Sequence, residues 1–320
     1  MRYFARRLLH GVFLLFGVSV LSFLFASLAP GSFFDEMRMN PQISPQTVAA
    51  LRAQFGLDQP LPVRYVLWLK SVLHGELGFS FAYNSPAAPL LFVRARNTLA
   101  LTASATLLAW LIAIPVGVWT AARKGSSADR VTSASTAVML GVPDLLLALG
   151  LLLLAVRTGW FPTGGMVSPS FEAMRFGQKV KDVAAHLALP VVALLAGTLP
   201  VLVRHVRAAM IEVLDSTFIR AARGHGIPRQ RLLFRYALPA AANPLISLFG
   251  FSVGTLLSAS LLIEVVMSWP GLGPLFLEAI LARDLYLVIG GVMLSTLFLL
   301  VGNFLSDVLL YIGDPRIRAQ

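Results

Sequence analysis

The sequence predicts an all-α polytopic membrane protein with six transmembrane helices, and three observations support this fold class. Hydrophobic residues make up 57% of the 320 residues and charged residues 13%, whereas a soluble domain carries about a quarter charged residues. Six apolar runs approach or exceed the length of about 20 residues that a spanning helix needs, and a soluble core needs no runs this long and this poor in charge. Basic residues cluster in alternate connections between the runs. The runs cover 8–29, 97–121, 132–156, 186–206, 244–268 and 285–311.

The first apolar run has two readings, because Arg2, Arg6 and Arg7 precede it as they would in a signal peptide. The apolar core of a signal peptide is about 7–15 residues long, and this run is longer. We therefore expect an uncleaved N-terminal transmembrane helix, 1–30.

The distribution of charge predicts the orientation of the chain. The net charge is +11, and the excess lies at the N-terminus, after the second run, between the fourth and fifth runs, and at the C-terminus. With six spans these four places share one side, and the positive-inside rule makes that side cytoplasmic, with both termini inside. The 157–185 connection departs from this pattern, because it should lie outside yet holds four basic and two acidic residues. Since membrane topology accounts for the excess of basic residues, we expect no nucleic-acid partner. We do expect contact with membrane lipid.

Several kinds of chemistry have no matching pattern in the chain. It has no cysteine, which excludes disulfides, thiolate metal sites and cysteine nucleophiles. It contains neither a phosphate-binding G-x-x-x-x-G-K-[ST] loop nor an H-E-x-x-H zinc motif, and its five histidines form no ligand cluster in sequence. We therefore expect no catalytic, cofactor or metal site.

The segment between the first two spans, 31–96, is predicted to be a helical insertion on the outside. Ser44 is a helix N-cap, Pro45 is suited to the first helical position and Gly56 is a stop signal. A second helix, about 62–74, carries aromatic residues and is suited to the membrane interface. The remainder, 97–320, is predicted to be a five-span core that contains a cytoplasmic loop, 207–243.

That loop includes the unusual stretch "IRAARGHGIPRQRLLFRYALP", 219–239. We expect one helix over 208–223, a break at 224–228, and a second helix to about 238. Ala221 and Ala222 allow another surface to approach the backbone closely, and the arginines around them can pair with acidic groups or phosphates. An ordinary positive-inside loop accounts for the charge but not for the alanine pair and the glycines.

The spacing in this stretch resembles the cytoplasmic coupling motif of ABC importer permeases. That motif reads Glu-Ala-Ala, three residues, Gly, nine residues, Ile, one residue, Leu-Pro. Here Ala221 and Ala222 are followed after three residues by Gly226, and Leu238 and Pro239 end the motif at the matching distance.

The departures and the rest of the chain narrow the resemblance to one branch. Arg220 replaces the motif's Glu, as in the peptide-importer version, and Tyr236 replaces its Ile. The opening span, "FGLDQPLPVRYVLWLKSVLHGELGFS", "SWPGLGPL" and "YIGDPRIR" resemble the subunit with the large first periplasmic loop in the dipeptide/oligopeptide/nickel permease family. The chain departs from that branch at Ser32 and Phe33, where Asp-Pro is usual, and at Asp144.

The resemblance implies a permease subunit of an ATP-driven importer in the bacterial cytoplasmic (inner) membrane, which forms the translocation path for peptides. The ATP-Mg would be bound by two separate cytoplasmic subunits, and further partners would be a second, homologous permease and a periplasmic or lipid-anchored substrate-binding protein. Arg220 and Arg223 would contact the ATPase. The residues implied in ATPase coupling are Arg220, Ala221, Ala222, Arg223, Gly226, Leu238 and Pro239.

Alternatives remain open from the sequence. Related permeases carry nickel chelates or other small solutes. An ATP-independent secondary transporter or a non-transporting membrane scaffold belongs to a different class. Asp144, an acid inside the third run that follows Pro143, is a candidate for the translocation path, or else pairs with a neighbouring helix or caps the backbone near that proline.

Overall fold

The structure is a computed structural model that describes residues 2–38 and 43–313. In this part of the chain the secondary structure is helical apart from one short hairpin, in which β1 (Phe79–Ser80) pairs antiparallel with β2 (Ser85–Pro86). A 3₁₀ turn covers Phe171–Ala173, and a π-helical segment covers Leu232–Ala237. The helices are α1 (Arg2–Leu28), α2 (Phe33–Arg38), α3 (Pro45–Gln54), α4 (Leu61–Leu73), α5 (Ala87–Ala122), α6 (Ser127–Leu140), α7 (Asp144–Thr158), α8 (Phe176–Leu214), α9 (Thr217–Gly224), α10 (Arg229–Arg231), α11 (Leu238–Ala240), α12 (Ala242–Val266), α13 (Leu272–Leu281) and α14 (Leu285–Gly313).

Five helical segments of the described chain, those containing α1, α5, α8, α12 and α14, are long and apolar enough to cross a membrane. The third predicted run is not one straight span: α6 and α7 form a pair bent by 94°, which makes a sixth span if the pair is taken together. The break lies at Pro143, which lacks a backbone N–H and disfavours helical geometry in the residue before it.

Two other predicted boundaries differ from the observed helices for one reason. α8 is 39 residues long and includes Pro190 and Pro200, although its apolar run covers only 186–206. α5 begins at Ala87, before its run at 97. A hydropathy run marks the apolar part of a helix, whereas the helix continues through polar residues at either end.

The chain divides into two compact units, one of residues up to Thr98 with Pro270–Leu300, and one of Leu99–Trp269 with residues from Val301. In the first unit, α4 packs against α1. Phe23 is fully buried, with ring centroids 5.5 Å from Tyr65 and 5.8 Å from Trp68. The aromatic residues of α4 therefore pack on another helix.

Helix signals in the insertion are confirmed. The hydroxyl of Ser44 accepts a hydrogen bond of 3.1 Å from the Thr47 N–H at the start of α3, and Gly56, just beyond the end of α3, has φ +65°. The hairpin that follows α4 is anchored by the buried carboxylate of Asp284, which accepts hydrogen bonds from the Ser80 hydroxyl (2.7 Å) and the Ala82 N–H (3.1 Å).

In the second unit, α8 is the central helix, and α6, α7 and α12 pack on it. Close packing depends on small residues, as is common between membrane helices. At Gly117 of α5, an added Cβ would lie 2.6 Å from the side chain of Val206 on α8. Ala109 and Ala113, further along α5, are also fully buried. These contacts give the segment that follows α8 a well-packed support.

Candidate functional site

The candidate site begins where α8 ends. α8 stops at Leu214 and α9 starts at Thr217, with Ser216 extended between them at φ −70° and ψ 155°. The predicted uninterrupted helix over 208–223 was therefore wrong. Asp and Ser form local hydrogen bonds that compete with the helix, and the Ser216 hydroxyl donates to the Val213 carbonyl at 2.5 Å. The sequence signal for this break was the Asp-Ser-Thr triplet at 215–217.

α9 is a short helix with one buried and one exposed face. Ile219 is fully buried and Ala222, three residues later, packs against the same apolar cluster. Phe218, which the sequence analysis missed, is 49% exposed, and Ala221 lies on the same exposed face. The structure thus holds α9 by Ile219 and presents a surface made of an aromatic ring and a methyl group.

The two arginines predicted to contact a partner are both exposed. Arg220 and Arg223 lie within α9, and among the described residues neither forms an ion pair with an acidic group. An arginine guanidinium presents a fork of donors that matches carboxylates and phosphates. Both side chains are therefore accessible to such groups on another molecule.

The predicted break after α9 is confirmed. Gly226 has φ +75°, and no atom lies within 4 Å of the place a Cβ would occupy. A residue with a side chain is strained in this left-handed conformation, which accounts for glycine here. The open space means that a Cβ at this position meets solvent or a docked partner.

The return to the membrane is irregular. Pro228 is the N-cap of α10 and so lies one position before the first helical turn, where it was predicted. The π-helical segment Leu232–Ala237 then leads into α11. Pro239 lies in the first turn of α11. Proline lacks an N–H and its ring clashes with the carbonyl four residues earlier, and a π segment relieves this crowding. Leu238 packs against the apolar cluster, whereas Pro239 is exposed.

A cavity of about 340 Å³ lies beside α9. Arg229 bridges part of its wall, because its guanidinium donates a hydrogen bond to the Ala122 carbonyl at the end of α5, where a cation is favoured by the helix dipole. The sequence analysis gave Arg229 no role. The lining residues are Ala122, Leu214, Arg223, Ile227, Arg229, Leu232 and Leu233.

An ion pair with no clear signal in the sequence ties α8 to the first turn of α6. Arg207 donates to both carboxylate oxygens of Asp129, at 2.5 and 2.9 Å, and the Gly125 N–H donates to the same carboxylate at 2.9 Å. An exposed pair joins Lys124 to Asp215 at 3.0 Å. The only signal was an isolated acid at 129 in a predicted basic segment.

Asp144 lies at the first position of α7, directly after the break in the third run. It is partly buried, and its carboxylate occupies the space where a Cβ at Gly197 of α8 would be. Asp144 therefore packs against a neighbouring helix, and no described side chain forms an ion pair with it; the expected pairing or backbone cap stays a prediction. The other role, in a translocation path, stays a prediction.

Within the described ranges, no group of three or more His, Cys, Asp or Glu residues is placed so that it could hold a metal ion.

Comparisons with known proteins address the whole chain. Residues 113–319 match the family described as binding-protein-dependent transport system inner membrane component, and residues 1–102 match its N-terminal family. The oligopeptide transport system permease protein AppB of Bacillus subtilis (strain 168) is 34% identical over 318 residues, with 99% of each chain covered. The dipeptide transport system permease protein DppB of Escherichia coli (strain K12) is 33% identical over 321 residues, with 94% of each covered.

Among solved structures, an inward-facing conformation of the MetNI methionine ABC transporter is similar, with a TM-score of 0.52 and 23% identity. It covers 72% of this chain and 95% of that chain, and it supports the fold. The two family matches together span nearly the whole sequence, and the full-length relatives share a third of its residues. The chain therefore belongs to the family of binding-protein-dependent transport system inner membrane components, and it is a multi-pass permease subunit of an ABC importer in the inner membrane.

Proposed function

We propose that this permease carries peptides and that α9 couples it to the hydrolysis of ATP-Mg on separate cytoplasmic subunits. Relatives named for oligopeptide and dipeptide transport align over 94–99% of the chain, which supports a peptide substrate. The observation that carries the coupling proposal is α9 itself. It is a short exposed helix, anchored by buried Ile219 and ended by the Gly226 turn beside an open cavity.

The residues of the coupling segment divide into four roles. Arg220 and Arg223 make polar contacts with the ATPase. Ala221 and Gly226 allow its surface close to the backbone, while Ala222 holds α9 on the bundle from the other side.

Leu238 and Pro239 set the angle at which the chain returns to the membrane. Closure of the ATPases upon ATP binding then moves α9, and the support that carries it moves the spans between inward- and outward-facing states.

The assembly we propose contains two permeases, two ATPases and a periplasmic or lipid-anchored binding protein. One permease has one coupling segment, so that two ATPases need two permeases, and the large insertion 31–96 suggests that the second is a related but different chain. In this arrangement both termini are cytoplasmic, and the insertion lies in the periplasm between the helix 1–30 and the five-span core 97–320.

We propose further that Asp144 faces the translocation path on its exposed side and binds the amino group of a peptide. Its position after the α6–α7 break, where regular helix is interrupted, supports this role. Asp144→Asn should lower peptide transport while the assembled complex purifies in normal yield. Normal transport by this variant would contradict the role.

The coupling proposal is tested by Gly226→Trp in the complete complex, purified in mild detergent. We expect the ATPase to be lost while the second permease is retained. Gly226→Ala shows the effect of the positive φ alone, which should cost about 1–2 kcal/mol of conformational free energy. Gly159→Trp is the matched control, because Gly159 ends α7 with φ +66° and equally open surroundings. Retention of the ATPase and normal transport by Gly226→Trp would contradict the proposal.

The substrate is tested by uptake in cells that lack the natural peptide importers. Cells expressing this permease with its partners should take up labelled di- or oligopeptides, and uptake should stop when ATP is depleted. Uptake of labelled nickel chelates instead of peptides would assign the alternative substrate class, and uptake that survives ATP depletion would refute ATP coupling.

A further inference from the structure

A second cavity, of about 110 Å³, lies in the first unit at the C-terminal end of α1. Its wall includes Ser27 of α1 and Ser32 in the segment after it. Three arginines from separate parts of the chain also reach it: Arg52 of α3, Arg64 of α4 and Arg283 directly before α14. Arginines brought together from such distant positions create a local positive field.

The positive charge of this arginine cavity is only partly balanced by nearby acidic residues. Among the described side chains, no carboxylate lines it. Arg52 is paired at 3.2 Å with Asp58, whose side chain is 56% exposed, and Asp35 accepts a hydrogen bond from Ser32. Arg64 and Arg283 form no ion pair within the described chain. Arg64 is partly buried, and an anionic ligand would offset the cost of removing its charge from water.

Two buried polar atoms in the wall are without hydrogen-bond partners. They are the Ser27 hydroxyl oxygen and Arg64 Nε, and neither reaches a partner among the described residues. The Arg64 guanidinium lies 5.9 Å from the centre of the Phe23 ring, which limits the positions that this side chain can take. Buried donors in native proteins are almost always satisfied, so these two point to a ligand that accepts hydrogen bonds.

The backbone leaves room for the third arginine. Gly31 has φ +80°, and a Cβ at this position would overlap the guanidinium of Arg283. Glycine at 31 therefore permits the guanidinium of Arg283 to lie against the backbone at the cavity wall. Guanidinium groups bind tetrahedral oxyanions through paired donors, and the small volume suits a single phosphate-sized group.

We propose that the arginine cavity binds the phosphate group of an anionic phospholipid. The position favours a lipid over a free phosphate, because the cavity adjoins the exposed apolar surface of a membrane-spanning helix. Phe25 and Leu28, in the same last turn of α1 as Ser27, are each 66% exposed. Acyl chains lie along these side chains while the phosphate accepts hydrogen bonds from Ser27 and the arginines. Basic pockets at membrane helices recognise anionic headgroups in this way.

The test uses the full chain in mild detergent, with retained lipid counted by native mass spectrometry during titration with phosphatidylglycerol. We expect one saturable lipid, with phosphatidylcholine binding at least about tenfold more weakly. Arg64→Gln and Arg283→Gln should each weaken phosphatidylglycerol binding about tenfold, because each removes charge-assisted hydrogen bonds. Arg38→Gln is the matched control, since Arg38 is an exposed arginine of the same insertion that does not line the cavity.

The outcomes separate the sources of the anion. If millimolar inorganic phosphate displaces the lipid, and binds by itself with the same dependence on Arg64 and Arg283, the site serves a free anion and the lipid assignment is wrong. An equal loss in Arg38→Gln, or equal binding of both lipids, would show general surface attraction and overturn the site. Arg283→Gln keeps the test valid if Arg64→Gln fails to fold, because Arg283 is exposed.

Discussion

Replacing Arg207 with methionine should destabilise the second unit, because the change leaves the Asp129 carboxylate with a single backbone donor. The Asp129 side chain is 6% exposed and that of Arg207 is 27% exposed. Exposed ion pairs contribute about 0–1 kcal/mol, whereas removing one partner of a buried pair costs about 3–5 kcal/mol. This pair lies between the two limits, so we expect a loss of about 2–3 kcal/mol in the free energy of unfolding.

The partner substitution should cost less. In Asp129→Asn the cation left behind can still reach water, so we expect a loss of about 1–2 kcal/mol. In the double variant the two losses should not add, and the coupling energy from the double-mutant cycle should be about 1–2 kcal/mol.

Unfolding can be followed by tryptophan fluorescence in mixed micelles with increasing denaturing detergent. The chain has five tryptophans, which provide the fluorescence signal. It has no cysteine, so assays that label native thiols cannot be used. Lys124→Met is the matched control, because the Lys124–Asp215 pair has side chains 58% and 67% exposed and should cost at most about 0.5 kcal/mol. If Arg207→Met costs no more than this control, or the coupling energy is zero, the ion pair does not hold α8 to α6.

Two further predictions concern single contacts. Gly197→Leu should displace the Asp144 carboxylate and destabilise the protein by about 1–3 kcal/mol, measured by the same unfolding assay. Gly177→Leu is the control, because no atom lies within 4 Å of the place that a Cβ at Gly177 would occupy. Equal losses of stability in the two variants would contradict the close packing of Asp144 on Gly197. Burial, then the hydrogen bond and charge of Glu278, raise the pKa of the Tyr83 phenol to about 12. Because the folded state favours the neutral phenol, its contribution to stability is complete below pH 10 and is lost as the pH rises from 10 to 12. The difference between the 295 nm absorbance titrations of the wild type and Tyr83→Phe should show this pKa. In Glu278→Gln the pKa of Tyr83 should move toward 10. A value near 10 in the wild type would contradict the prediction.

How much of the structure could be predicted from the sequence depends on how far apart along the chain the interacting residues lie. Capping is local, so Ser44 and Gly56 identified the ends of α3. The turn at Gly226 was predictable for the same reason. The Asp129–Arg207 pair joins residues 78 positions apart, and no local pattern contains that information.

Other differences arise from competition between local signals. The apolar run over 132–156 indicated a span, while Pro143 within it indicated a break, and only the packed structure shows a bend of 94°. α13 is ten residues long, too short to register as a span, and the sequence analysis missed it. Arg52, Arg64 and Arg283 are unremarkable separately, and they acquire a meaning only because the fold brings them to one cavity.

The π-helical segment Leu232–Ala237 is relevant to the rotational phase of α11 and α12, the helices on its C-terminal side. An α-helix turns by about 100° per residue, and a π turn holds one more residue than an α turn. The wider turn therefore takes up one residue without changing the phase, and deleting a residue within it would give a regular α turn that leaves these two helices facing as they do now. Deleting a residue from a regular α turn would instead rotate them by about 100°, and the buried positions of α12, such as Leu245 and Leu256, would then face away from their partners. The π-helical segment is thus a place between α9 and α12 at which the chain tolerates a one-residue change in length.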